Sequence, residues 1–161
     1  MGAVYFYQLS TQPLEAALPV LLAKAREAGW RVELRGVDAA RMEVLDRALW
    51  SGPEDGFLPH GLAGGAHDAD QPILLTCGGG AANAPACVMA VDGADIDPGE
   101  VGALERVCIL FDGHDAAALG RARSQWASLV DAGCAAQYWS QDSGRWEKKA
   151  ERVPDAANKI T

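Results

Sequence analysis

The chain has 161 residues, 49% of them apolar, which is enough for one buried core and too few for two comfortable ones, so a single domain is expected. A net charge of −8 argues against a surface-wide nucleic-acid interface, because the phosphate backbone would repel it; little direct nucleic-acid binding is expected. No apolar run nears the roughly 18 residues of a membrane span, and no basic region followed by an apolar stretch opens the chain, which points to a cytoplasmic protein with no membrane contact.

Ala3 to Leu9, rich in aromatics, predicts a first strand. Ser10 or Thr11 can cap the helix that follows, where Leu14, Leu18, Leu21, Leu22 and Ala25 share a face. Pro19 requires that helix to start late, near Glu15 or Ala16, or to kink. Gly29 ends it, and Trp30, Val32 and Leu34 then alternate with Arg31, Glu33 and Arg35 in a half-buried second strand. Met42, Leu45 and Leu49 make the buried stripe of a helix from about Ala39 to Trp50, with Trp50 on the shoulder of that stripe. Ser51, Gly52 and Pro53 stop it. Phe57 and Leu58 arrive on a loop with Pro59 and His60 behind them, either plugging the core edge or presenting an apolar patch.

Residues 61–70 are rich in Gly, Ala and Asp and read as a mobile loop. Residues 73–77 and 86–91 are short apolar runs that look like interior strands. The eight residues between them are too few for a helical crossover, which leaves a hairpin or an irregular join. Residues 107–111 predict another buried strand, residues 114–132 a long helix, and Tyr138 with Trp139 a last short strand. The order implies an α/β domain over residues 1–150: three layers, a mostly parallel or mixed sheet flanked by helices, with a flexible tail over 151–161.

Candidate sites are few. Gly78, Gly79 and Gly80 follow a strand as a phosphate loop would, but Ala84, Pro85 and the next strand leave no room for the helix whose N-terminus receives the phosphate. No Walker-type Lys with Ser or Thr follows either, so these glycines read as a turn. Asp112, His114 and Asp115 sit at a strand end, where α/β enzymes place chemistry, yet Asp112 or Asp115 can simply cap the next helix. His60 can orient its own loop. No Ser or Cys has a nucleophile elbow. Cys77, Cys87, Cys108 and Cys134 have no metal-like spacing and read as buried free thiols, and no cofactor is implied.

The late helix says more. Leu119, Ala122, Trp126, Leu129 and Val130 form its apolar stripe, and Arg123 lies at the margin, where its guanidinium can meet a carboxylate beside the Trp126 ring. The plainer reading makes Trp126 core and pairs Arg123 with a local Asp. Arg145, Lys148, Lys149 and Arg152 cluster around Trp146 as a weak basic patch or a solvated terminus. Residues 1–113 carry 16 acidic and 7 basic side chains, a balance of −9, and residues 114–161 carry 6 and 7, a balance of +1. An acidic partner is therefore repelled least by the last third. Apolar patches beside a marginal arginine, with no catalytic set, describe a protein that binds a peptide. The alternative is a degenerate nucleotide-fold enzyme acting on a small phosphorylated ligand near Asp112.

The order Leu45, Asp46, two residues, Leu49, Trp50, then Phe57, Leu58, Pro59, His60, Gly61 and Leu62 resembles the signature segment of the chi subunit of bacterial DNA polymerase III. A first strand ending in Tyr5, Phe6 and Tyr7 and a late helix with Arg121, Arg123, Trp126 and Gly133 extend the likeness over most of the first 150 residues. The resemblance implies a nucleotide-binding-like fold without a phosphate loop, and a non-catalytic accessory subunit of the polymerase. Such a subunit links the clamp loader to single-stranded DNA-binding protein during DNA replication by gripping that protein's acidic C-terminal tail, which ends in a Phe with a free carboxylate. On this reading Trp50, Phe57 and Trp126 form one apolar pocket and Arg123 pairs with the carboxylate. The resemblance also implies additional Lys around the late helix, and this chain has Leu119 and Ala127 where a basic residue would have helped. The other partner implied is the psi subunit or another clamp-loader subunit.

Overall fold

The computed structural model describes residues 2–51, 58–78 and 81–153. In chain order the elements are β1 (Ala3–Leu9), α1 (Leu14–Glu27), β2 (Val32–Arg35), α2 (Ala39–Trp50), β3 (Gly61–Leu62), a 3-10 turn (Asp68–Asp70), β4 (Ile73–Thr76), β5 (Cys87–Ala90), α3 (Pro98–Ala103), β6 (Arg106–Asp112), α4 (Ala116–Asp131), β7 (Ala135–Ser140) and β8 (Glu147–Arg152). The strands form one open sheet in the order β3-β4-β2-β5-β6-β1-β7-β8. Every neighbouring pair is parallel except β7 and β8. The expected α/β layering and mixed sheet are thus present.

Strand alternation divides the core into two layers. Cys108 and Leu110 of β6 pack with Leu18 and Leu22 of α1 and Met42 and Leu45 of α2. The intervening Val107, Ile109 and Phe111 pack with Val101 of α3 and Ala122 and Leu129 of α4. Side chains one apart on a strand point to opposite faces, so α1 and α2 cover one face of the sheet and α3 and α4 the other.

Several local expectations are corrected. Neither Ser10 nor Thr11 caps α1: the N-cap is Pro13, without a side-chain bond, and the Ser10 and Thr11 N–H groups instead donate to Gln141 Oε1 at 3.1 and 3.4 Å. α1 begins at Leu14 and keeps Pro19 inside it; the ring removes one donor near the N-terminus, and apolar burial of the helix outweighs that loss. β2 is buried on both faces, Glu33 and Arg35 included. Residues 61–70 contain β3, which pairs with β4, and the 3-10 turn. β4 and β5 are no hairpin; each runs parallel to β2 on opposite sides of it. Their irregular connection is pinned by buried Asn83, whose Nδ2 donates to Val32 O at 3.1 Å and Gln71 O at 3.0 Å. The Gly79 and Gly80 part of that turn lies outside the described residues, as do Phe57 and residues 154–161.

Two elements escape the apolar pattern. α3 is closed by a capping box in which Asp97 and Glu100 satisfy one another's backbone N–H groups. β8 is an antiparallel edge strand carrying the lysines read as a basic patch. Lys148 pairs with Glu151 at 3.0 Å and Lys149 with Glu147 at 3.5 Å, so the patch is largely neutralised, and Trp146 packs edge-on against Tyr7. The described cysteines are free thiols: Cys87 and Cys108 are buried, Cys134 is partly covered, and Cys77 is exposed, contrary to expectation. A hydrogen bond with Cys87, and then burial, push the Cys108 thiol upward, away from the reactive thiolate.

Candidate functional site

α4 starts at Asp115, whose carboxylate accepts the Ala117 and Ala118 N–H groups, while Asp112 accepts the N–H of His114 in the preceding turn. Both aspartates are therefore helix and turn caps. His114 Nε2 lies 2.7 Å from Ser10 O, tying the start of α4 to the end of β1.

From this start α4 lies over β6 and β7 and lays Trp126 on an aromatic cluster. The Trp126 ring sits edge-to-face with Phe6 at 5.3 Å and with Tyr138 at 6.0 Å. Tyr138 also stacks with Phe6 at 6.3 Å and meets Phe111 edge-on at 5.9 Å. Trp126 and Tyr138 stay half-exposed on top of this cluster, while Phe6 and Phe111 are buried beneath. Tyr138 Oη donates to Gln8 Oε1, which fixes the ring. Arg123, exposed and one turn before Trp126, stands close enough to act electrostatically on Tyr138: burial raises the phenol pKa and the guanidinium pulls it back. No carboxylate pairs with Arg123 among the described residues, so the local-Asp reading is not what the structure has. The result is an exposed cation beside two partly buried rings. Leu119 packs into the second core layer and Ala127 faces solvent.

Trp50 ends α2 and is 51% exposed. Its ring lies over buried His60 with centroids 4.1 Å apart. His60 is held at both edges, Nδ1 by Leu58 O at 2.6 Å and Nε2 by Asp46 O at 3.1 Å and Asp46 Oδ1 at 3.2 Å. His60 thus ties Leu58 to Asp46 of α2, with its ring against that of Trp50. Trp50 and the pair Arg123–Trp126 do not converge. α2 packs in the first core layer near β3 and β4, and α4 in the second near β6 and β7, with the sheet between them. One notch containing Trp50, Trp126 and Arg123 is therefore ruled out.

The strand end of Asp112, His114 and Asp115, noted in the sequence, borders a cavity of about 730 Å³ at the C-terminal ends of β1, β5 and β6, walled by the first turns of α1 and α4; the cavity itself was not foreseen. It is assembled from four separate segments, and such convergence leaves no periodic signal. Among the described residues no group of His, Cys, Asp and Glu is arranged to hold a metal, and no helix is long and apolar enough to cross a membrane.

These features define a class: a doubly wound α/β domain that keeps the layout of nucleotide-binding folds, has no phosphate loop in its sequence, and carries aromatic rings on its outer surfaces. The chain belongs to the family described as DNA polymerase III chi subunit, HolC, whose model matches residues 1–137. It is also 37% identical over 81 residues to the DNA polymerase III subunit chi of Pseudomonas aeruginosa, a match covering 48% of this chain and 56% of that relative. Trp139, Trp146 and all of β8 lie beyond the family match.

Proposed function

We propose that this chain acts as an accessory, non-catalytic subunit of the replicative polymerase, joining the clamp loader to single-stranded DNA-binding protein. It takes up the acidic, Phe-terminated tail of that protein on the outer surface of α4. The observation that carries this reading is the exposed Arg123 guanidinium, with no carboxylate partner among the described residues and close to the partly buried rings of Trp126 and Tyr138. A terminal carboxylate answers the guanidinium in a forked, charge-assisted pair, and the adjoining phenyl ring packs edge-on against these rings. The last third of the chain, with its balance of +1, is also the part that repels an acidic peptide least.

Trp50, packed against His60 on the other side of the sheet, serves a second contact, towards the clamp loader, through a psi subunit or its equivalent. Exposed tryptophan on a rigid support is the kind of anchor that protein interfaces are built around.

The test is a titration with a fluorescent acidic peptide ending in Phe. Arg123→Ala weakens binding by about 1.5–3 kcal/mol, the range for a hydrogen bond to a charged group, with circular dichroism unchanged. Amidating the peptide's C-terminus costs a similar amount, and the two losses are not additive, because they remove the same contact. Full affinity in the Arg123→Ala variant would rule the α4 surface out.

A further inference from the structure

In doubly wound sheets the ligand crevice lies where neighbouring strands send their helices to opposite faces. β1 and β6 are such neighbours: α1 follows β1 onto one face and α4 follows β6 onto the other. The 730 Å³ cavity opens at this point, and its volume lies within the range of small-molecule sites. We propose that it binds a small phosphorylated ligand of nucleotide size, with the phosphate seated on the Arg121 guanidinium.

The charges of the lining carry the choice of ligand. Arg41 bridges Glu15 at 2.7 Å and Asp92 at 3.2 Å, so its single charge is divided between two carboxylates. Asp112 and Asp115 are engaged by the N–H groups at the start of α4. Arg121 alone among the lining ions has no ion pair or hydrogen bond within the described residues. Its guanidinium rests on Gly93, where a Cβ would stand 2.0 Å from Nη1, so the absence of a side chain makes room for it.

The opposite wall supports the same ligand. The start of α1, whose N-cap Pro13 makes no side-chain hydrogen bond, forms part of the lining. The Arg121 guanidinium suits a phosphate, while the carboxylates of Asp112 and Asp115 can accept hydroxyls of an attached sugar. Phosphate is held here by a side-chain charge and not by a glycine loop, which is consistent with the failure of every phosphate-loop motif in the sequence. This site is independent of the tail surface, because Arg121 and Arg123 lie about 160° apart around α4.

The full chain is titrated with AMP, adenosine and inorganic phosphate, with melting temperature and calorimetry as readouts. AMP raises the melting temperature saturably, and adenosine does not. Arg121→Ala lowers AMP affinity about tenfold or more, whereas Arg145→Ala, which removes an equal charge from the loop before β8, leaves it unchanged. Saturating AMP does not alter affinity for the acidic Phe-terminated peptide, so failure of either proposal is read separately. The inference is overturned if millimolar AMP gives no saturable shift, if Arg121→Ala binds AMP as well as the native chain does, or if inorganic phosphate alone reproduces the full effect.

Discussion

Arg35 shows how a polar residue comes to sit inside a sheet. Its Nε and Nη2 donate to the two oxygens of Glu33, both at 3.0 Å, and its Nη1 and Nη2 to those of Glu100 at 3.0 and 2.6 Å, while Thr76 donates to Glu33 at 2.7 Å. A buried ion pair survives only when its geometry repays desolvation, and here two bidentate forks do so. The alternation of charged and apolar residues in β2 was legible, but its usual meaning, one wet face, was wrong: the partners of Arg35 lie 65 and 2 residues away, and only the near one could be anticipated. The cluster makes stability depend on acid. The hydrogen bonds from Arg35 hold the Glu100 carboxyl below its ordinary value of 4.5, so the folded state binds this proton less readily than the unfolded state does. That contribution is complete at neutral pH and disappears as pH falls below 4.5 through the folded-state pKa. Urea unfolding between neutral pH and pH values below 4.5 should show falling stability, and Glu100→Gln should flatten part of that fall while lowering stability at neutral pH. Parallel curves for the two proteins would mean that Glu100 is not the titrating group.

At the scale of elements, the sequence was readable wherever apolar residues repeat. α2 and the stripe of α4 appear where periodicity put them, because burying one face is what forms them, and β1 appears where its aromatic content put it. α3 has only Val101 fully buried in six residues, too little for a period, although Asp97 and Glu100 spell its capping box. β8 has no apolar alternation because it is an edge strand, and charged side chains there discourage pairing with another chain. α3 carries Glu100 to Arg35, so its cap supports the buried cluster. Asp97→Ala should therefore cost about 1 kcal/mol, the usual worth of an N-cap. Chemical denaturation measures it; a loss within a few tenths would show that Arg35 alone holds α3 in place.

For the whole molecule, the sheet decides what the aromatic residues can do together. Trp50, Phe57, Trp126 and Arg123 were drawn to one pocket by sequence order and family likeness, and neither contains the information that α2 and α4 cover opposite faces. That fact appears only once the strands are ordered, and it suits the proposed connecting role, in which two partners are engaged without colliding. The two surfaces are then expected to be energetically independent, since substitutions with no shared neighbours usually add within a few tenths of a kcal/mol. Trp50→Ala should leave affinity for the acidic Phe-terminated peptide unchanged, whereas Arg123→Ala weakens it, and the double variant should match Arg123→Ala alone. Raised salt should weaken the native complex more than it weakens Arg123→Ala, because that variant has lost the charge being screened. A loss of peptide affinity in Trp50→Ala as large as that in Arg123→Ala would show that the peptide reaches around the sheet to both faces.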